Sequence, residues 1–117
     1  MTRPLALLCL ALTAANACAA DDTKTLHDFF AAEWEYTMQR NPTWASQLGD
    51  RRWNDRWEEV SPAAIEAEHQ HNHDALARLR KVDRKSLSPR DQLNYDLFEH
   101  RLTQSIRAGV RENGQET

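Results

Sequence analysis

Residues 61–106, which decide the fold, read SPAAIEAEHQHNHDALARLRKVDRKSLSPRDQLNYDLFEHRLTQSI. Ser-Pro occurs twice, at Ser61-Pro62 and Ser88-Pro89. Each pair predicts a helix start, because serine caps free backbone N–H groups and proline suits the first helical position. After each start, residues that follow one another at steps of three and four share one face of the helix. These faces hold Ile65, His69, Asn72, Leu76, Leu79 and Val82 in the first helix, and Leu93, Tyr95, Leu97, Phe98, Leu102 and Ile106 in the second. The stretch predicts an αα-hairpin, two long helices joined by a short link.

A third helix is predicted before the hairpin. It begins after Thr25 and ends at Asn41, because the residue before Pro42 disfavours helical backbone. Pro42 opens a short further helix to Leu48, which Gly49 ends. Residues 50–60 are dense in charge and are predicted as a loop or broken helix fixed by ion pairs. No run alternates with period two, so strands are not expected.

All four tryptophans, Trp34, Trp44, Trp53 and Trp57, lie within residues 29–57. Large aromatic side chains bury ~150–250 Å² each, so a polar segment seldom carries four of them unless other protein surface covers them. The expected fold class is all-α. It comprises an N-terminal helix, a Trp-rich connector and a helical hairpin, as part of a larger helical fold.

The N-terminus has the pattern of a secretory signal peptide, assigned to residues 1–20. Arg3 supplies a positive charge, and Leu5–Thr13 is a short apolar core. Ala-Cys-Ala at 17–19 has the small-x-small cleavage pattern, which predicts cleavage between Ala19 and Ala20. The apolar run is shorter than the ~20 residues of a permanent membrane helix. We therefore expect export to the periplasm or the outside, with no stable transmembrane segment after cleavage.

Cys18 leaves a second interpretation of this segment, a lipoprotein signal cut just before a lipidated cysteine. Both cysteines, Cys9 and Cys18, lie within residues 1–20, so cleavage at Ala20 would leave no disulfide, thiolate zinc site or cysteine nucleophile.

At the C-terminal end of the chain, residues 108–117 hold two of the three glycines. They are predicted to be a disordered or truncated tail, and residues 21–107 are assigned to the helical region.

The charge pattern excludes one class of partner. The chain carries 15 lysines and arginines against 18 aspartates and glutamates, a formal net charge of −3. These charges are interspersed, without a basic stripe, so nucleic acid is not an expected partner. The length corresponds to one small domain.

Two motifs carry a family resemblance. The first joins the Phe-Phe-x-x-x-Trp-Glu helix at 29–35 to the segments NPTWA at 41–45, LGD at 48–50 and RWND at 52–55. The second is LSPRDQLNYDLF at 87–98. Both motifs occur in the expected order. Residues 29–102 therefore resemble the N-terminal region of the bacterial domain-of-unknown-function family 885.

The resemblance implies an exported, mostly helical protein whose full-length relatives are several times longer and resemble zinc-dependent metallopeptidases. Their His-Glu-x-x-Pro-Gly-His-type segment would lie far downstream. The resemblance therefore implies zinc and a peptide substrate for the full-length proteins, and it assigns no catalytic residue or cofactor ligand to this chain. We expect the chain not to be catalytic alone.

His69 and His73 are the candidate metal ligands, because residues four apart share a helical face. Glu66 lies three residues before His69 and would add an oxygen ligand, whereas His71 would point away from both histidines. A structural zinc site takes four ligands. The alternative interpretation is a partly solvated polar face.

The remaining clusters indicate surface charge. Glu33 and Glu35 lie two residues apart on a helix, so they do not face each other and are predicted to be solvated. A substrate contact by Arg52 or Trp53 is a hypothesis for full-length relatives. The second functional hypothesis is a small periplasmic helical module that binds a protein partner through exposed tryptophans.

Overall fold

The computed structural model describes the backbone of residues 5–115 and the side chains of residues 17–112 and 114. Within this range the chain is helical and has no strand. The helices are α1 Leu5–Arg40, α2 Pro42–Gln47, α3 Pro62–Leu79 and α4 Pro89–Gln115, with single 3-10 turns at Arg51–Trp53 and Arg84–Ser86. The all-α class and the helical hairpin are confirmed. Arg3 of the predicted signal lies outside the described residues.

Both Ser-Pro helix starts form as predicted. The Ser61 hydroxyl accepts a hydrogen bond from the backbone N–H of Ala64, and the Ser88 hydroxyl accepts one from the backbone N–H of Asp91, each at 3.2 Å. Each hydroxyl satisfies a donor that the first helical turn leaves free. After α2, Gly49 has a φ of 92°, a conformation that glycine adopts without steric cost.

α1 begins earlier than the sequence pattern predicts. Its backbone is continuous from Leu5 through Thr25 to Arg40, so the prediction of Thr25 as the N-cap is wrong. Residues 5–24 are rich in alanine, a strong helix former, and include no glycine or proline to interrupt the helix. The segment predicted as a signal peptide is therefore continuous with the helix that carries Phe29.

α4 continues through residues 108–115, within the segment predicted to be a disordered or truncated tail; residues 116–117 lie outside the described residues. Gly109 is buried in this segment and lies against the imidazole of His69 on α3. The missing β-carbon lets the two helices approach closely at this point. Tertiary packing thus supports a helical end that composition alone does not indicate.

The core forms where α1, α3 and α4 meet. Its buried residues are Leu26, Phe29, Ala75, Leu76, Leu79, Val82, Leu87, Tyr95 and Leu102. Leu93 and Leu97, which the pattern assigns to the buried face of α4, are 59% and 61% exposed. That part of the prediction is wrong, because the apolar arc of α4 is wider than the surface that α1 and α3 cover.

The principal extents of the chain are 73 × 39 × 20 Å. The shortest extent corresponds to about two helix diameters of ~10 Å, so the helices form a thin layer with much of their surface outside. Among the described residues, no helix combines enough length and apolarity to span a bilayer.

Candidate functional site

An apolar groove lies between α1, α2 and α4 and encloses about 430 Å³. Small-ligand sites typically measure ~300–1,000 Å³. Successive turns of one face of α1 and one face of α4 form its two long walls, since residues three and four apart lie together on a helix. The wall residues are Phe30, Trp34 and Thr37 on α1, Trp44 on α2, and Asn94, Leu97, Phe98 and Arg101 on α4.

Aromatic contacts hold the walls in place. Trp34 and Trp44 meet edge to face with 5.9 Å between ring centroids, and Phe30 and Phe98 meet at 5.3 Å. Such ring pairs contribute ~0.5–1.5 kcal/mol beyond the area they bury. The indoles of Trp34 and Trp44 nevertheless remain 51% and 42% exposed. The groove is therefore preformed and open to solvent.

Glu33 borders this groove and is only 6% exposed. Its Oε2 lies 3.0 Å from Nε2 of His71, and its Oε1 lies 3.7 Å from Nη1 of Arg78. The prediction that Glu33 is a solvated surface charge is wrong. A signal was present in the sequence: Glu33 follows Phe29 by four residues and Phe30 by three, which places it on the apolar face. Its partners from α3 offset the cost of burying the charge.

His71 connects α3 to α1 through two contacts. Besides approaching Glu33, its imidazole stacks on the ring of Tyr36, with centroids 3.4 Å apart and an interplanar angle of 5°. Burial raises the pKa of the Tyr36 phenol. His71 does point away from His69 and His73, as its spacing predicts. Sequence reasoning missed that this direction leads to the buried carboxylate.

Arg101 is the exposed cation of the groove. Its guanidinium lies 5.2 Å from the centroid of the Phe98 ring, a cation–π contact. Within residues 17–112, no carboxylate pairs with this guanidinium. Its hydrogen-bond donors therefore remain open to a ligand.

Comparison with protein families identifies the chain. The family model described as "Bacterial protein of unknown function (DUF885)" matches residues 42–115, more than half of the sequence. The chain belongs to the DUF885 family. No curated protein and no solved structure matches it. The matched span of this DUF885 chain covers α2, the connector and the hairpin, and includes both Trp44 and Arg101 of the groove.

The described residues do not fit the zinc centre that the resemblance implies for full-length DUF885 proteins. His69 and His73 do line one small pocket of about 170 Å³ with Glu66. However, Nδ1 of His69 lies 4.0 Å from Oε2 of Glu66, and the His69 ring packs on Gly109. Among the described residues, no group of three or more histidine, cysteine, aspartate or glutamate side chains is arranged to hold a metal ion.

In this DUF885 chain, Arg52 connects the charged segment of residues 50–60 to α1. Its two terminal nitrogens donate to the Glu35 carboxylate at 2.9 and 3.0 Å, and one of them also donates to Asp50 at 2.7 Å. The Arg52 guanidinium lowers the pKa of the Asp50 carboxyl. The guanidinium groups of Arg52 and Arg56 lie 5.6 and 5.4 Å from the Trp53 ring centroid. The predicted ion pairing of the connector is confirmed for Arg52 and Asp50, whereas Arg51, Asp55 and Arg56 form no ion pair within the described residues.

The predicted processing residues all lie on α1. Cys18 is exposed, with its Sγ 4.0 Å from a carboxylate oxygen of Asp22. Ala20 is exposed and Ala19 is half-buried. Asp22 also accepts a hydrogen bond of 2.9 Å from the Ser86 hydroxyl. The first turn that would remain after cleavage is thus tied to the link between α3 and α4.

Proposed function

We propose that this DUF885 chain is the exported, helical N-terminal part of a larger protein and forms one wall of a peptide-binding cleft. The resemblance of full-length relatives to zinc-dependent metallopeptidases supports a peptide as the substrate. The hydrolytic reaction belongs to a metal centre outside the described residues of this chain. On this proposal the chain is not catalytic by itself.

The open apolar groove carries the proposal. Soluble monomers seldom leave a contiguous apolar patch exposed unless it has a function, and here Trp34, Trp44 and Leu97 all remain accessible. The groove does not depend on a ligand for its shape, because the Glu33–His71 contact and the aromatic ring pairs hold its α1 wall in place. A rigid apolar wall of this kind suits binding of peptide side chains.

A hydrolysis assay with unstructured peptides and added zinc tests the absence of catalysis. We expect the purified chain to bind such peptides weakly without turnover. Turnover that a chelator abolishes would contradict the proposal.

A matched pair of variants tests where peptide binds. Trp34→Ala removes a wall of the groove and should abolish peptide binding. Trp57→Ala removes a tryptophan that does not line the groove and should leave binding unchanged. Equal loss in both variants, or no loss in either, would contradict the assignment to this groove.

Export is the second part of the proposal, supported by the signal pattern of residues 1–20. Mass spectrometry of the protein from its native host identifies the mature N-terminus. An unmodified start at Ala20 or Asp21 would support cleavage by a signal peptidase. A lipidated Cys18 at the N-terminus would support the lipoprotein alternative, and a chain that retains Met1 would contradict both.

One observation favours a second candidate function, a small helical module that binds a protein partner. Trp57 is 91% exposed and Val60 is 79% exposed, and a large exposed indole is a frequent anchor at protein interfaces. Reading the DNA downstream of the coding sequence discriminates the two. A continuation with a His-Glu-x-x-x-His-like segment in any of the three reading frames favours the cleft, whereas a clean stop followed by an unrelated gene favours the interaction module.

A further inference from the structure

We propose that the groove selects an apolar ligand that carries a carboxylate, with the carboxylate bound by Arg101. The inference rests on the proposed function, because it assigns a ligand class to the same groove. It follows from the two charged groups of the groove, Glu33 and Arg101, and from the apolar surface beside them.

The negative charge in the groove wall is already compensated. Oε2 of Glu33 lies 3.0 Å from Nε2 of His71. Its Oε1 lies 3.7 Å from Nη1 of Arg78, is enclosed by protein and has no hydrogen-bond partner within the described structure, so the nearby Arg78 guanidinium offsets its charge without a hydrogen bond. A ligand cation would have to displace these contacts to reach it. Arg101, by contrast, is exposed and has no carboxylate partner among the described residues. The charge that the groove offers to a ligand is therefore positive.

The guanidinium also lies beside the apolar wall of the groove. Its contact with the Phe98 ring at 5.2 Å keeps the planar group beside the apolar wall. A guanidinium presents paired N–H donors that match a carboxylate. An anion bound there would place its apolar body against Leu97 and the tryptophan rings.

The spacing of polar groups on α4 sets the size of the ligand. Asn94 lies seven residues before Arg101, which corresponds to ~10 Å along a helix. The amide of Asn94 has no hydrogen-bond partner among the described residues, and Leu97 lies between the two. The groove therefore fits an apolar body of roughly that length, such as an arylalkyl chain, with its carboxylate at one end.

Isothermal titration calorimetry with three probes of one shape tests the proposal: 4-phenylbutyrate, 4-phenylbutyramide and 4-phenylbutylamine at neutral pH. We expect the carboxylate to bind about fivefold more tightly than the neutral amide, as one partly solvated ion pair allows, and the amine to bind most weakly. Tighter binding of the amine would show that Glu33, and not Arg101, determines the charge preference of the groove, and would overturn the proposal.

Two arginine variants locate the charge preference. Arg101→Gln should lower the affinity for the carboxylate to that of the amide, whereas Arg101→Lys should keep part of the preference. Arg107→Gln is the matched control, because Arg107 is exposed on the same helix and does not line the groove. Equal effects of the two glutamine substitutions would overturn the assignment to Arg101. Circular dichroism checks that each variant remains helical.

Quenching of tryptophan emission separates failure of this inference from failure of the proposed function. If Trp34 and Trp44 are accessible to acrylamide but the three probes bind equally or not at all, the ligand class is wrong and the open groove stands. If both indoles are shielded and nothing binds, the groove is closed and both proposals fail.

Discussion

Gly109 on α4 lies directly against the imidazole of His69 on α3. A β-carbon at position 109 would come within 2.6 Å of Nε2 of His69, and within 2.9 Å of two carbons of the ring. Contacts this short do not occur without displacement of one partner. The spacing of the two hairpin helices near the end of α4 therefore depends on this glycine.

Gly109→Ala should destabilise the chain. Overpacking of a close contact costs ~1–3 kcal/mol, which outweighs the gain of up to ~1 kcal/mol that alanine brings to a helix. Gly114→Ala is the matched control, because a β-carbon there meets nothing within 4 Å, and it should leave stability equal or slightly higher. Urea unfolding measures both. If the two variants are equally stable, the ring of His69 yields freely and the contact does not set the helix spacing.

His71→Ala should weaken the attachment of α1 to α3. The substitution removes the hydrogen-bond partner of Oε2 of the buried Glu33 carboxylate and leaves only the longer contact of Oε1 with Arg78. A buried acceptor left without its hydrogen bond costs ~1–3 kcal/mol. His73→Ala, two residues away and exposed, should change stability by less than ~0.5 kcal/mol. A double-mutant cycle with Glu33→Met supplies the coupling energy. Strictly additive losses would contradict a direct Glu33–His71 interaction.

Local signals in the sequence were sufficient for the starts of α3 and α4 and for most of the core. Ser61 and Ser88 cap as their Ser-Pro context indicates, because capping depends on neighbours along the chain. The burial of Glu33 and the exposure of Leu97 were not predicted. Both depend on which helices cover which face. Periodicity identifies the apolar face of a helix but does not identify the helix that packs on it.

The predictions of where α1 begins and where α4 ends were wrong for a similar reason. Thr25 is followed three residues later by Asp28, which resembles a capping box, yet the preceding residues continue the helix. Residues 108–115 have a composition that suggests fraying, yet the contact between Gly109 and His69 adds tertiary support. The groove as a site was likewise not predicted, since its walls come from separate helices.

Acid should destabilise the chain through Asp96. Arg84 donates two hydrogen bonds of 2.7 Å to this carboxylate and lowers its pKa below the ordinary value of 3.8. The His27 side chain lowers the pKa of Asp91 in the same direction. A carboxyl whose pKa is lower in the folded state binds fewer protons there. Its contribution is therefore fully present above pH 3.8 and is lost as the pH falls through the folded pKa.

Urea unfolding at a series of acidic pH values measures this loss. We expect Asp96→Asn to reduce the dependence of the unfolding free energy on pH in the acid range, and Arg84→Gln to reduce it similarly. Both variants should be less stable than the unmodified chain near neutral pH. An unchanged pH dependence in Asp96→Asn would exclude this ion pair as a source of acid sensitivity.

Zinc should not stabilise the chain. A metal that binds the folded state alone raises its stability with concentration, but His69 and His73 lack a third protein ligand within the described residues. We expect the same melting temperature with zinc and with a chelator, both in the unmodified chain and in His73→Ala. A rise with zinc that His73→Ala abolishes would establish a metal site at this position.

The four tryptophans should differ in their access to a quencher. Trp57 is 91% exposed, whereas Trp53 is half-buried beneath two guanidinium groups and its Nε1 is enclosed without a hydrogen-bond partner in the described structure. Trp57→Phe should therefore lower the fraction of the emission that iodide quenches readily, a fraction that the exposed Trp34 and Trp44 also contribute to, and Trp53→Phe should raise that fraction by removing emission that iodide quenches poorly. Equal quenching of both variants would mean that the connector does not hold Trp53 against Arg52 and Arg56. In that case the ion pairs of Arg52 would not fix the connector on α1.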